Sequence, residues 1–141
     1  MASIIDMEDM RYLNLFGKIT NVRTRFCLKY NRAIIFCVPR RFVSKAIGEN
    51  GRNMKKINSI IGKRVKVVSS PEKIYEIKSV KKFIEDVISP ITFKDLNFDG
   101  NEIILTAGNH NKAILIGRNK QRLFELQKIS RDYFGKELKL I

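Results

Sequence analysis

The chain has 141 residues, room for one domain or two very small ones. Its hydrophobic content of 44% supports a folded core and excludes a disordered chain. A net charge of +14 and a pI near 10.0 point to a polyanionic partner, either nucleic acid or an anionic membrane surface. No apolar run approaches the roughly 18 residues of a membrane span. The start, Met-Ala-Ser-Ile-Ile-Asp, lacks the pattern of a signal peptide, so a cytoplasmic protein is expected. Cys27 and Cys37 are the only cysteines and read as buried free thiols. With His110 they make no convincing metal site, and no cofactor is expected.

Ser3 reads as a helix cap, with Asp6, Glu8 and Asp9 complementing the dipole of the first turn. Ile5, Tyr12, Leu13, Phe16 and Ile19 supply the apolar side of that helix. From Arg23 to Tyr30 the residues alternate, Phe26, Leu28 and Tyr30 against Arg25, Cys27 and Lys29, which is the period of a strand. Asn31-Arg32 falls where a hairpin turn belongs, and Ala33 to Val38 is a more buried strand ended by Pro39. A short helix over Phe42, Val43, Ala46 and Ile47 follows. After Gly48 to Gly51 a second helix carries Met54, Ile57 and Ile61, stopped by Gly62. Lys63 to Val68 closes this unit with a strand.

The pattern then recurs. Gly48 and Gly117 lie 69 positions apart, and at that offset Ile34 and Ile35 meet Ile103 and Ile104, Met54 meets Leu123, and Ile57 meets Leu126. Ile61-Gly-Lys-Arg-Val-Lys-Val67 resembles Phe134-Gly-Lys-Glu-Leu-Lys-Leu140 at an offset of 73, so four residues, about one helical turn, are added after Leu126. The second copy reads as a helix over Ile77 to Ile88 and strands over Ile91 to Phe98 and Glu102 to Thr106 around an Asp99-Gly100 turn. A short helix with Ala113, Ile114 and Ile116 comes next. A longer one with Leu123, Leu126, Ile129 and Tyr133 precedes a last strand from Lys136. Each copy is α-β-β-α-α-β, an α+β arrangement, in domains of residues 1–70 and 71–141 joined near Ser69 to Tyr75.

Between the paired helices of the first copy lies Ile47-Gly48-Glu49-Asn50-Gly51-Arg52-Asn53-Met54, the Ile-Gly-x-x-Gly signature of a KH domain. Two residues without side chains let a nucleic-acid backbone approach the main chain, and the next helix offers unpaired N–H groups to a phosphate. Arg40, Arg41 and Lys45 before the loop, and Arg52, Lys55 and Lys56 after it, add positive charge. The second loop reads Gly117-Arg118-Asn119-Lys120, with Arg122 two residues on, and lysine replaces its closing glycine. Residues 1–70 hold 15 Lys and Arg against 4 Asp and Glu, residues 71–141 hold 13 against 10, so the first module should supply most electrostatic affinity.

The stretches Ala46–Ile57 and Ala113–Leu123, with the Ser89-Pro90 step, resemble the archaeal form of the transcription factor NusA, which consists of two KH domains. That resemblance implies two tandem KH domains of prokaryotic topology, single-stranded RNA as partner, a role in transcription termination or antitermination, and no cofactor. RNA polymerase stands as a candidate second partner, and a monomer without membrane contact is expected. Glu49 and Lys120 depart from the family's loop, which often has a basic residue and a glycine there. Other readings remain open: a KH factor of ribosome assembly or RNA decay, a protein-interaction module whose RNA site has decayed, or a helix-turn-helix DNA binder at Arg41 to Ile61. No nucleophile–base pattern, paired carboxylates or P-loop lysine accompanies the glycines, so no enzyme is expected.

Overall fold

The computed structural model describes residues 7–141. Ser3, Ile5 and Asp6, read above as helix cap, apolar position and first-turn acid, lie outside them. The fold is mixed α+β, and the chain divides between Ser70 and Pro71 into two compact units. No helix among the described residues is long and apolar enough to cross a membrane. No cluster of three or more His, Cys, Asp or Glu among them could hold a metal ion.

In the first unit α1 (Met7–Thr20) is followed by β1 (Phe26–Tyr30), β2 (Ala33–Val38), α2 (Val43–Ile47), α3 (Arg52–Ile61) and β3 (Arg64–Ser69). β2 is central, antiparallel to β1 and parallel to β3. Alternate residues Ile34, Phe36 and Val38 form one core with Tyr12, Phe16, Val22, Ala46 and Ile57 from around the helices. The Phe16 and Phe36 rings stack at 4.3 Å within it. At the rim Lys29 reaches Glu8 and Asp9, each at 3.5 Å. A hydrogen bond from Tyr12, and then the Lys29 charge, hold the Glu8 carboxyl below its ordinary pKa.

One expectation changes here, and the register adds two findings. The first strand starts at Phe26 rather than Arg23, because the Thr24 hydroxyl takes the Phe26 N–H and donates to the Cys37 carbonyl. Phe26, Leu28 and Tyr30 do not face the helices. They pair with Cys37, Ile35 and Ala33, so they share the sheet's other face, which is also apolar and largely buried. Sequence alternation identifies two faces but not which one the helices cover. The same register separates the cysteines. Cys27 pairs with Phe36 and Cys37 with Phe26, so their side chains leave opposite faces of the sheet. Both thiols are free, and burial pushes that of Cys37 far up in pKa.

The second unit runs α4 (Ile77–Ile88), β4 (Asp95–Asp99), β5 (Glu102–Thr106), α5 (Asn109–Ile116), α6 (Gln121–Ile129) and β6 (Glu137–Leu140), with β5 central and the same strand directions. Its pairs Ile103↔Leu138 and Ile104↔Lys139 stand where the first unit has Ile34↔Val65 and Ile35↔Lys66. Sheet register therefore follows the sequence repeat at both offsets. The four extra residues are absorbed in a wide π-helical turn, Ser130–Phe134, at the end of α6. Its Tyr133 and Phe134 rings pack on Phe83 of α4 at 5.0 and 5.7 Å.

The expected strand from Ile91 begins only at Asp95. The Ile91 N–H is spent on the Ile88 carbonyl in a turn after the cis Ser89–Pro90 peptide. The hairpin turn sits on Gly100 and Asn101, one residue later than expected, because Asp99 pairs with Glu102. In α5 the buried side chain is Leu115, matching Ala46 of the first unit, while Ala113 is exposed.

Candidate nucleic-acid interface

α2 ends where the Gly48 N–H reaches the Ser44 carbonyl at 3.0 Å. Gly48 lies at φ 80°, ψ 168°, a region that only glycine occupies without strain. A Cβ there would come within 3.0 Å of the Asn53 side chain. That side chain fills the space and donates from Nδ2 to the Lys45 carbonyl at 3.2 Å. Asn53 thus pins the start of α3 to the end of α2. Residues 49–51 form a single 3-10 turn, closed by Gly51 N–H to the Gly48 carbonyl at 3.1 Å. Asn50 and Gly51 both take left-handed backbone, at φ 55° and 71°. A Cβ at Gly51 would meet nothing within 4 Å.

The two glycines therefore do different work. The first lets α3 approach α2. The second leaves its α-carbon open to the outside, at a helix start that no side chain caps. Only Gly51 offers the close approach expected of both.

The second loop has nearly the same backbone. Gly117 is at φ 73°, ψ 177°, Asn119 at φ 54°, ψ 29°, and Lys120 at φ 59°, ψ 20°, against φ 71°, ψ 20° for Gly51. A Cβ on Gly117 would lie 2.9 Å from Cγ of Arg122. The Arg122 guanidinium donates to the Ile114 carbonyl at 3.4 Å, as Asn53 does to Lys45. Lysine in place of the closing glycine has not altered the turn. It places a Cβ where the first loop is open and holds a lysine left-handed, at a cost of about 1–2 kcal/mol.

The predicted residues fall as follows. Arg40 and Arg41 are exposed on a 3-10 turn after Pro39, with the Arg41 guanidinium 4.8 Å from the Phe42 ring centre. Lys45, Asn50, Lys55 and Lys56 are exposed, and Ile47 is half-buried. Met54 packs against the core beneath the loop. Glu49 faces Arg52 at 3.6 Å with both side chains largely in solvent, so its charge offsets that of Arg52. Arg118, Asn119 and Lys120 are exposed, whereas Arg122 is half-buried with its guanidinium engaged on the loop. Sequence reasoning missed the pinning role of Asn53. Aligning the copies at the 69-residue offset would have shown two hydrogen-bond donors, Asn53 and Arg122, at one position.

No protein-family model matches the chain. Over 121 residues it is 25% identical to a protein named "Probable transcription termination protein NusA" from Methanococcus vannielii, covering 82% of this chain and 66% of that one. Over 97 residues it is 28% identical to the protein of the same name from Methanocaldococcus jannaschii, covering 68% of this chain and 50% of the other. The chain thus spans about half to two thirds of the length of these relatives. A solved structure titled "Crystal structure of APE1850" matches its fold with a TM-score of 0.67 at 20% identity, over 97% of this chain and 100% of that one.

Proposed function

We propose that the chain is a single-stranded RNA-binding protein made of two tandem KH domains of prokaryotic topology, residues 1–70 and 71–141. In this reading it acts on nascent RNA in transcription termination or antitermination, as a cytoplasmic monomer without catalytic activity. The observation that carries it is Gly51: an α-carbon open to the outside, at an uncapped helix start, flanked by the exposed cations Lys45, Arg52, Lys55 and Lys56.

The chemistry follows from that geometry. A phosphate can sit against the main chain at Gly51, where the α3 N-terminus presents its positive end. Lys55 and Lys56 lie one turn on and release counterions when the strand binds, which makes affinity strongly salt-dependent. Recognition through a loop and one helix start suits a single strand, whose unpaired bases are free to be contacted one at a time. The names of the two archaeal relatives support a place in transcription and make RNA polymerase a reasonable second partner.

The test is a titration of the full chain with single-stranded RNA and duplex DNA at moderate salt. Preference for the single strand, lost when Glu49 and Asn50 are both replaced by Asp in a chain that still folds, is the expected result. Equal affinity for duplex DNA, or binding untouched by the two aspartates, contradicts this reading.

A further inference from the structure

Two positions near the loop differ in chemistry between the units. Where the first unit has Gly51 and Lys55, the second has Lys120 and Phe124 at the same 69-residue offset. The cation has moved from one turn inside the helix to the loop residue just before it. An aromatic ring has taken the vacated place.

Phe124 is 54% exposed, while Leu126 and Ile129 carry the buried side of α6. A single exposed phenylalanine is ordinary on a protein surface. This one lies in the first turn of α6, four residues after Lys120 and thus within a turn of the loop. Lys128, a turn further on, has its ammonium on Asp132 at 2.6 Å. Among the described residues Lys120 has no such carboxylate partner.

We infer that the second unit holds single-stranded RNA by stacking one base on the Phe124 ring while the Lys120 ammonium takes an adjoining phosphate. This rests on the RNA-binding reading and adds to it a second contact of different chemistry. The first loop uses an open main chain and charge. The second uses charge at the loop and a ring one turn on. Stacking on an aromatic face tolerates any base, so this contact adds affinity without demanding a sequence.

The chain contains no tryptophan, so Phe124→Trp installs a single indole at the proposed platform. An oligoadenylate of about 12 nucleotides should quench that indole saturably, with affinity close to that of the native chain. Phe124→Ala should weaken the same strand about tenfold, yet leave unchanged the affinity for an abasic strand of equal length, which keeps the phosphates. Lys120→Ala should weaken both strands. RNA bound with unchanged indole emission, and equally by Phe124→Ala, overturns the stacking contact while leaving RNA binding intact. Equal loss on the abasic strand overturns it too, since the ring would then act through the fold. No affinity of the native chain for the oligoadenylate at low salt removes both readings at once.

Discussion

The loops Gly48–Gly51 and Gly117–Lys120 trace almost the same backbone with different sequences. Within 5° in φ and ψ, Asn119 repeats Asn50, yet the closing residue is glycine in one and lysine in the other. What they share is the opening glycine and the side chain behind it, Asn53 or Arg122, bonded to a carbonyl at the end of the preceding helix. Loop shape is therefore set by the first glycine and its pin. The closing residue is left free to differ in chemistry.

The largest effect should come from breaking what the loops share. Gly48→Ala and Gly117→Ala each put a Cβ into a side chain at about 3 Å and force alanine into glycine-only backbone. A loss of about 3 kcal/mol is expected for the unit concerned, read as a lower urea midpoint. Gly51→Ala meets no neighbour and should cost only about 1 kcal/mol. Equal losses at Gly48 and Gly51 would refute the division of labour between them.

Next comes the charge around the loops. Replacing Lys55 and Lys56 with Ala should reduce the slope of log affinity against log salt by about 1.4. Lys120→Ala should reduce it by about 0.7. Titrations at several salt concentrations give both values, and an unchanged slope in either variant removes that loop from the phosphate path.

A smaller change sharpens the contrast at the closing position. Lys120→Gly relieves left-handed strain but makes the unfolded chain freer, so a net gain of about 0.5 kcal/mol is expected in thermal unfolding. A clear loss of stability would mean that the Lys120 side chain supports the turn.

The smallest effect concerns acid. Glu8 has its folded pKa below the ordinary 4.5, so whatever stability it adds is present above that value and lost as pH falls through the lowered one. The first unit should weaken slightly more than a Glu8→Gln variant does below pH 4.5. Parallel unfolding curves for the two chains would dismiss the Tyr12 and Lys29 contacts as contributors.

Much of this arrangement was legible in the sequence, since local periodicity and repeat spacing carried it. Ile77–Ile88 was found to the residue because its apolar stripe runs its full length. Both loops were found because glycine spacing marks them. Facing was less legible. Phe26, Leu28 and Tyr30 look like core positions under the helices, but a face is assigned by pairing partners far along the chain. The π-helical turn was also hidden, because four added residues can lengthen a helix or widen its last turn equally well. In the candidate site the charges were visible, but the roles of the glycines were not. Gly48 serves the approach of α3 and Gly51 faces outward, a difference that exists only once Asn53 is in place.

The most direct measurement is a map of backbone amide shifts in the full chain as a short single-stranded RNA is added. The account predicts the largest changes at Gly48 to Asn53, smaller ones from Arg118 to Phe124, and little along the exposed positions of α4. Shifts that spare Gly48 to Asn53 while RNA is bound would contradict the claim that the open α-carbon of Gly51 is where the strand meets the protein.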